Sequence, residues 1–279
     1  MPDKIIPSLW FDDNAEGAMK FYATVFPDSE ISEVGPQGVT VKLADVPFIA
    51  INGGPTGFKP NASISFMVVC ESRAEIDLIW NKLSDKGKVY MKLDSYPWSD
   101  YYGWIGDRYG FTWQLYLGKL KDVNNQRIVP TLMFSQSQQG NCEKAIHFYQ
   151  SVFKDFISHG IMHYEEGPYK GQVMHAQFVL EGYVLAAMDS GVSQDFTFNE
   201  AISFMIKCGN QQEIDYYWDQ LTKGGKELQC GWCQDSFGVS WQVVPRHFQE
   251  LVFSSPNPKK ALEAFCKMKK IIIGELENV

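Results

Sequence analysis

Apolar positions along the chain follow two rhythms, and each returns after a fixed interval. In the stretch 64–88 an apolar run, ISFMVVC, precedes Ile76, Trp80 and Leu83, which are spaced four and three residues apart. Residues 202–226 repeat the arrangement with ISFMIKC followed by Ile214, Trp218 and Leu221. Read at an offset of 202 − 64 = 138, 12 of the 25 positions are identical. An unbroken apolar run of this length suits a strand, and the i, i+4, i+7 spacing gives a helix one buried face. Ser72 with Glu75, and Asn210 with Glu213, have capping-box spacing, and Gly87 and Gly224-Gly225 stop the helices.

The remaining pattern is also duplicated. IIPSLWF (5–11) reads as a strand, followed by Asp12-Asp13-Asn14 as cap and a helix carrying Ala18, Phe21, Tyr22, Val25 and Phe26. VPTLMF (129–134) and the helix with Ala145, Phe148, Tyr149, Val152 and Phe153 repeat it. The offset drifts from 123 to 127, which places four inserted residues around Ser135 to Gly140. Three strand runs follow each helix: 31–34, 39–43 and 47–51 in the first half, and 157–162, 173–180 and 183–188 in the second. Behind the second of the long helices come short strands near 227–228, 231–234 and 239–244. Each half therefore holds two βαβββ units. A unit of this size cannot cover its own sheet, so units must pair, with helices outside and a sheet surface between them. Residues 257–270 add an amphipathic helix with Asn257 as N-cap and Pro258 in its first turn.

Length and composition narrow the class. With 279 residues, 45% of them hydrophobic, the chain has enough apolar material for two cores. A net charge of −8 argues against nucleic acid as a partner. No stretch approaches the length of a membrane helix, and the start MPDKIIPSLWF lacks a basic segment followed by an apolar signal region, so a cytoplasmic protein is expected. Six cysteines in a chain of this length read as thiols.

Several residues invite chemistry. His175 alternates with Ala176 and Phe178 along a strand and is the best single acid–base candidate, although Gly38 stands at its counterpart. The other histidines lack ligand spacing. Cys230-Gly-Trp-Cys233 resembles half of a redox or zinc motif, but its expected strand separates the two thiols, and no second ligand pair is spaced for zinc. Trp104 and Trp232 each follow a glycine, Gly103 and Gly231, and stand shortly before a D-x-x-G turn. That pairing suits a flat ring beside a planar ligand, or an indole that fills the space itself. An insertion at 89–98, with Tyr90, Tyr96 and Trp98 leading to Tyr101 and Tyr102, offers either an aromatic lid or an interface.

The stretches GWCQDSFGVSWQVVP (231–245), VMHAQF (173–178), FNEAISF (198–204) and KMKKI (267–271) resemble the PhnB-like branch of the vicinal oxygen chelate superfamily, which includes glyoxalase I, bleomycin-resistance proteins and extradiol dioxygenases. GWIGDRYGFTWQL (103–115) carries the likeness more loosely into the first half. In metal-dependent members, ligands resembling His and Glu line the cup, the last Glu lying seven residues after the Asp of D-x-x-G. Here those positions hold Gln114 and Gln242. On the first strands Pro7, Leu9 and Phe11, or Pro130, Leu132 and Phe134, stand where a His is expected, and the later strands offer Ser63 and Ser65, or Ala201 and Ser203. A divalent cation needs several His, Cys or carboxylate ligands on one point, so no metal and no cofactor is expected. Some members of this branch are described as ubiquinone-pathway methyltransferases, yet no Gly-rich loop leads from a strand into a helix here to hold an adenosyl methyl donor.

The expectation is an α+β chain of two tandem domains, each of paired βαβββ units forming a concave, mostly antiparallel sheet with helices outside. Residues 1–120 form the first domain, 127–250 the second, and 251–279 a helical extension; the two domains act as an internal pseudo-dimer. The expected role is metal-free binding of a small planar or apolar molecule, with Gln242, Trp232, His175, Ser203, Gln114 and Trp104 as ligand-binding candidates. The alternatives are a metal-dependent glyoxalase- or dioxygenase-like enzyme and a structural or interaction protein with filled cups.

Overall fold

The computed structural model describes residues 4–35 and 37–279; residues 1–3 of the start considered for a signal segment lie outside it. Four βαβββ modules follow one another. The first is β1 (Ile5–Phe11), α1 (Ala15–Val25), β2 (Glu30–Gly35), β3 (Gly38–Leu43) and β4 (Val46–Asn52). The second is β5 (Ile64–Cys70), α2 (Arg73–Leu83), β6 (Lys88–Tyr96), β7 (Ser99–Gly106) and β8 (Thr112–Leu117). The third is β9 (Ile128–Phe134), α3 (Cys142–Val152), β10 (Phe156–His163), β11 (Val173–Leu180) and β12 (Tyr183–Asp189). The fourth is β13 (Ile202–Cys208), α4 (Gln211–Thr222), β14 (Lys226–Glu227), β15 (Trp232–Gln234) and β16 (Ser240–Pro245). After it come α5 (Phe248–Val252), α6 (Pro258–Lys267) and α7 (Ile273–Glu277).

The strands make two eight-stranded mixed sheets, ordered β14-β15-β16-β13-β1-β4-β3-β2 and β10-β11-β12-β9-β5-β8-β7-β6. Within each module the first and last strands run parallel, as in β5 with β8 and β9 with β12, and the other ladders of the module are antiparallel. The two domains are tandem in sequence, but neither half closes a sheet of its own. β5 of the first half pairs antiparallel with β9 of the second, Ser65 opposite Thr131 and Met67 opposite Val129. This corrects the expectation that the two modules of one half share a sheet. The edges of β5 and β9 present complementary backbone groups, and their pairing satisfies both.

Among the described residues two compact units divide the chain, one spanning residues 7–202 and the other gathering 203–279 with residues 4–6. In the first unit the modules of the first half meet through aromatic side chains. Trp113 is fully buried and lies against Phe26, Phe66 and Tyr22, with ring centroids 4.8, 5.2 and 5.2 Å apart. Asp107, the aspartate of the first D-x-x-G turn, anchors this cluster. Its carboxylate accepts hydrogen bonds from Tyr22 Oη (2.5 Å), Trp113 Nε1 (2.7 Å), Tyr109 N (2.8 Å) and Phe111 N (3.2 Å). In the second unit Asp235 repeats the device, accepting from Trp241 Nε1 at 2.9 Å, Phe237 N at 2.9 Å and Val239 N at 3.1 Å.

The helix ends show where local sequence decides. Ser72 Oγ accepts from Glu75 N at 3.2 Å and Asn210 Oδ1 from Glu213 N at 2.9 Å, as the capping-box spacing predicts. The glutamates reach back to Glu71 N and Gly209 N, one residue before the cap. The α1 start differs from expectation, because Asn14 makes no side-chain cap bond, and Asn141 before α3 makes none either. Instead Asn52 Oδ1, at the end of β4, accepts from Ala15 N at 2.9 Å. At the end of β12, Asp189 accepts from Gly140 N (2.8 Å), Cys142 N (3.2 Å) and Val173 N (3.0 Å). A neighbouring strand supplies the cap because its end lies beside the helix start. Gly225 follows α4 because a Cβ there would lie 2.0 Å from Gln234 O.

Candidate functional site

The sheet running from β10 to β6 lies wholly within the first unit, with α2 and α3 against one face. Phe178 stacks on Tyr149 of α3, and Gly103 faces Trp80 of α2, so alternation assigns the helix side to these positions and to Trp113 and Ile105. The opposite, helix-free face receives Ser65 and Met67 of β5, Thr112 and Gln114 of β8, Tyr102 and Trp104 of β7, and Thr131 and Met133 of β9. Thr131, Ser65 and Thr112 stand side by side across three strands. Beside that row Gln114 Nε2 donates to Ser65 Oγ at 2.6 Å, and Tyr102 Oη donates to Gln114 Oε1 at 2.8 Å. The chain Tyr102–Gln114–Ser65 is a neutral polar relay, held by side chains under a tenth exposed.

Three further polar atoms of this face are buried without a hydrogen-bond partner among the described residues: Thr131 Oγ1, Thr112 Oγ1 and Trp104 Nε1. Leaving such a group unpaired costs about 1–3 kcal/mol each, so three on one face call for a physical reason. Aromatic rings flank the Trp104 and Tyr102 end of this face. Tyr90 stacks on Trp104 with centroids 5.0 Å apart, Tyr96 stacks on Trp98 at 5.1 Å, and both Tyr96 and Trp98 meet Tyr102 edge-on. The insertion at 89–98 therefore becomes the β6–β7 hairpin and places an aromatic cluster beside the Gln114 relay. Burial, with Tyr96 as a smaller contributor, pushes the Tyr102 phenol well above its ordinary range, so it stays a donor at neutral pH.

The other end of the same face is filled. Val123, on the 3-10 turn Leu120–Val123 between the sequence halves, packs with Met67, Val69, Val129, Val179, Val184 and Ala186. Gln126 fixes this connector: its amide donates to Val184 O at 2.8 Å and accepts from Val184 N at 2.8 Å. Gln177 Nε2 donates to Asp122 O at 2.8 Å. The face is thus an apolar floor sealed by the connector at one end and a polar, aromatic-walled patch at the other.

Of the residues singled out in sequence, Gln114 and Trp104 are cross-strand partners in this patch. His175 lies on β11 of the same sheet and on the same side, opposite Met162, several strands from Gln114. Burial lowers its pKa, which keeps the imidazole neutral. In the second unit Gln242, Ser203 and Trp232 come together by themselves. Gln242 Nε2 donates to Ser203 Oγ at 2.9 Å, Trp232 pairs with Gln242 across β15 and β16, and Ser240 Oγ is buried without a partner among the described residues.

Two readings change. On β9 the residues facing the patch are Thr131 and Met133, not Pro130, Leu132 and Phe134, whose partners Phe66 and Ile64 belong to the helix side. Gly103 gives room to Trp80 rather than to a ligand: a Cβ there would lie 2.6 Å from the Trp80 ring. Thr112 and Thr131 were missed in sequence, and Tyr102 was singled out only as part of the aromatic insertion. The repeat itself held a usable pointer, since Gln114 and Gln242 share an offset of 128 with Thr112 and Ser240.

The donor set does not suit a metal. Hydroxyls and neutral amides line both glutamine positions, and no group of three His, Cys, Asp or Glu side chains comes together among the described residues. Cys230 occupies a turn with φ +62° and Cys233 lies on β15, and both are free thiols. No helix among the described residues is long and apolar enough to cross a membrane.

The profile of a family described as 3-demethylubiquinone-9 3-methyltransferase matches residues 3–116 and 126–244. A PhnB protein from Bacillus cereus is 36% identical over 42% of this chain and all of its own, with a TM-score of 0.40. Glyoxalase I from Zea mays shares the fold over 87% of this chain and 92% of its own, at 13% identity and a TM-score of 0.54. A point mutant of the same maize enzyme covers 88% and 95% at a TM-score of 0.55. The PhnB-like, vicinal-oxygen-chelate resemblance and the tandem glyoxalase-like α+β fold are thereby borne out. No curated protein matches the chain.

Proposed function

Because the chain belongs to the family described as 3-demethylubiquinone-9 3-methyltransferase, we propose a function that starts from that family's fold and departs from the activity in its description: metal-free binding of a small planar molecule on the helix-free face beside Gln114. The observation that carries the reading is that two orphan hydroxyls, Thr131 and Thr112, and the orphan Trp104 indole N–H stand on the same neutral sheet face, beside an aromatic cluster. A planar ligand with one or two carbonyl or hydroxyl groups supplies acceptors to Trp104 and donors or acceptors to the threonines, while its ring lies against aromatic side chains. The relay from Tyr102 through Gln114 to Ser65 holds that geometry without net charge, so a neutral ligand is favoured over an anion. Gln242, Ser203 and Trp232 form a second arrangement of the same type. His175, neutral and distant along the sheet, is assigned no proton-transfer step. The chain is read as cytoplasmic, with residues 1–120 and 127–250 as its sequence domains and 251–279 as an extension.

Methyl transfer is not part of this reading. The glycine cluster 53–57 follows β4 and leads into a proline-containing loop rather than a helix N-terminus, which leaves an adenosyl donor without the usual cradle for its charged portion. The connector packed over Met67 and Val129 favours a purely structural role for that end of the face alone.

Tryptophan fluorescence titration with a panel of neutral naphthoquinones and hydroxynaphthalenes tests the proposal. Saturable quenching that Trp104→Phe and Gln114→Ala each weaken about tenfold is expected, corresponding to about 1.4 kcal/mol. Quenching that neither substitution alters, or tight binding only after addition of zinc or manganese, sinks it.

A further inference from the structure

The C-terminal segment of the second unit is joined to the β14–β15 connection at two neighbouring cysteines. Cys230 N donates to Met268 O at 2.7 Å and Gly231 N to Lys269 O at 2.9 Å, so the turn and the residues after α6 already lie side by side. Cys230 Sγ donates to Cys266 O at 3.9 Å, which sets the thiol beside the residue that carries the Cys266 side chain. Cys266 is exposed at the end of α6 and Cys230 is half-buried, whereas Cys70, Cys142, Cys208 and Cys233 are all buried. Within the sequence motif Cys230-Gly-Trp-Cys233, it is therefore a residue 36 positions downstream, not Cys233, that the fold presents to the Cys230 thiol.

We propose that Cys230 and Cys266 are a redox-sensitive pair whose disulfide clamps α6 onto the turn at residues 228–231. The oxidant is a small-molecule disulfide, RSSR, of the oxidised-glutathione class. The exposed Cys266 thiolate attacks one sulfur of RSSR, forming a Cys266–SR bond and expelling RS⁻, which takes up a proton. Cys230 then gives up its proton and attacks Cys266 Sγ, forming the protein disulfide and expelling the second RS⁻. Two protein thiols and one RSSR become one protein disulfide and two RSH, with two electrons passing to the small disulfide. Exposure sets the order. Burial, together with the neighbouring Cys266, pushes the Cys230 thiol up, so its thiolate is scarce and it serves as the resolving partner. The backbone bonds at Met268 and Lys269 hold the two segments side by side before oxidation. A cross-link spanning 36 positions also restricts the unfolded chain.

The test uses the full-length protein, reduced and kept from air, then incubated with oxidised glutathione. Thiol titration after denaturation should fall from six to four, and proteolysis should yield one cross-linked pair of peptides carrying Cys230 and Cys266. The melting temperature should rise by several degrees and return on reduction. Cys233→Ser should still lose two thiols, whereas Cys266→Ser should yield no intramolecular bond at Cys230. Retention of six thiols, a glutathione adduct on Cys266 that never resolves, or a bridge mapped to Cys230 and Cys233 would overturn the assignment. Peptide mapping of the unsubstituted chain decides the matter even if a variant folds poorly.

Discussion

Trp113 Nε1 donates to Asp107 Oδ2 across 2.7 Å inside a cluster where Tyr22 Oη reaches the same oxygen from α1. One carboxylate thus ties the D-x-x-G turn, the strand after it and the helix of the preceding module. Asp107→Ala would strand these buried donors, each at about 1–3 kcal/mol, for a total loss of about 3–5 kcal/mol. Urea denaturation of both proteins checks this, and a loss below about 1 kcal/mol would show that the cluster tolerates the missing acceptor.

The same residue predicts a pH dependence. Burial outweighs the hydrogen bonds from Tyr22 and Trp113, so the folded-state pKa of Asp107 lies above its ordinary value. A raised folded value means that the contribution to stability is complete below the unfolded value of about 3.9 and is lost as pH rises through the folded one. Asp107→Asn, which cannot ionise, should therefore gain on the unsubstituted protein as pH is raised from about 4 toward neutrality. Parallel stability curves for the two proteins over that window would contradict the assignment.

Thr131→Val separates a binding role from a structural one. The Thr131 hydroxyl is buried without a partner among the described residues, so an isosteric methyl should leave stability unchanged or raise it by about 1 kcal/mol. Affinity for the naphthoquinone probes should fall at the same time. A stability loss above about 1 kcal/mol would show that the hydroxyl is engaged in the free protein.

Gln114→Glu places a carboxylate at the metal-ligand position of the superfamily's metal-dependent members. Its neighbours remain Ser65, Thr112, Thr131 and the phenol of Tyr102, so calorimetry with zinc or manganese should show no stoichiometric site in either this variant or the unsubstituted protein. One equivalent of firmly held metal in protein purified without chelator would restore the enzyme alternative.

Asp189→Ala should cost about 2 kcal/mol, since it uncaps α3 and frees Val173 N together. Loss of α3 protection in hydrogen exchange, with the α4 amides unchanged, is the expected pattern. Uniform loss across both helices would mean that Asp189 acts globally rather than at one helix start.

The four modules, the capping boxes at Ser72 and Asn210 and the burial of the Trp218 face were legible in the amino-acid order alone, because each depends on residues within one or two turns of one another. So were the repeated glutamines at 114 and 242. Whatever depended on distant partners was settled by packing. That the second edge of β5 takes β9, rather than a strand of the first module, rests on which strand edges meet, and edges carry the same backbone groups in every strand. The facing of Thr131 was hidden because all seven residues of β9 are buried, so alternation names two faces without saying which one the helices cover. The caps from Asn52 and Asp189, the Trp80 ring against Gly103, and the approach of Cys266 to Cys230 have the same origin: each joins atoms whose sequence separation leaves no periodic trace, and only the packed chain brings them within contact.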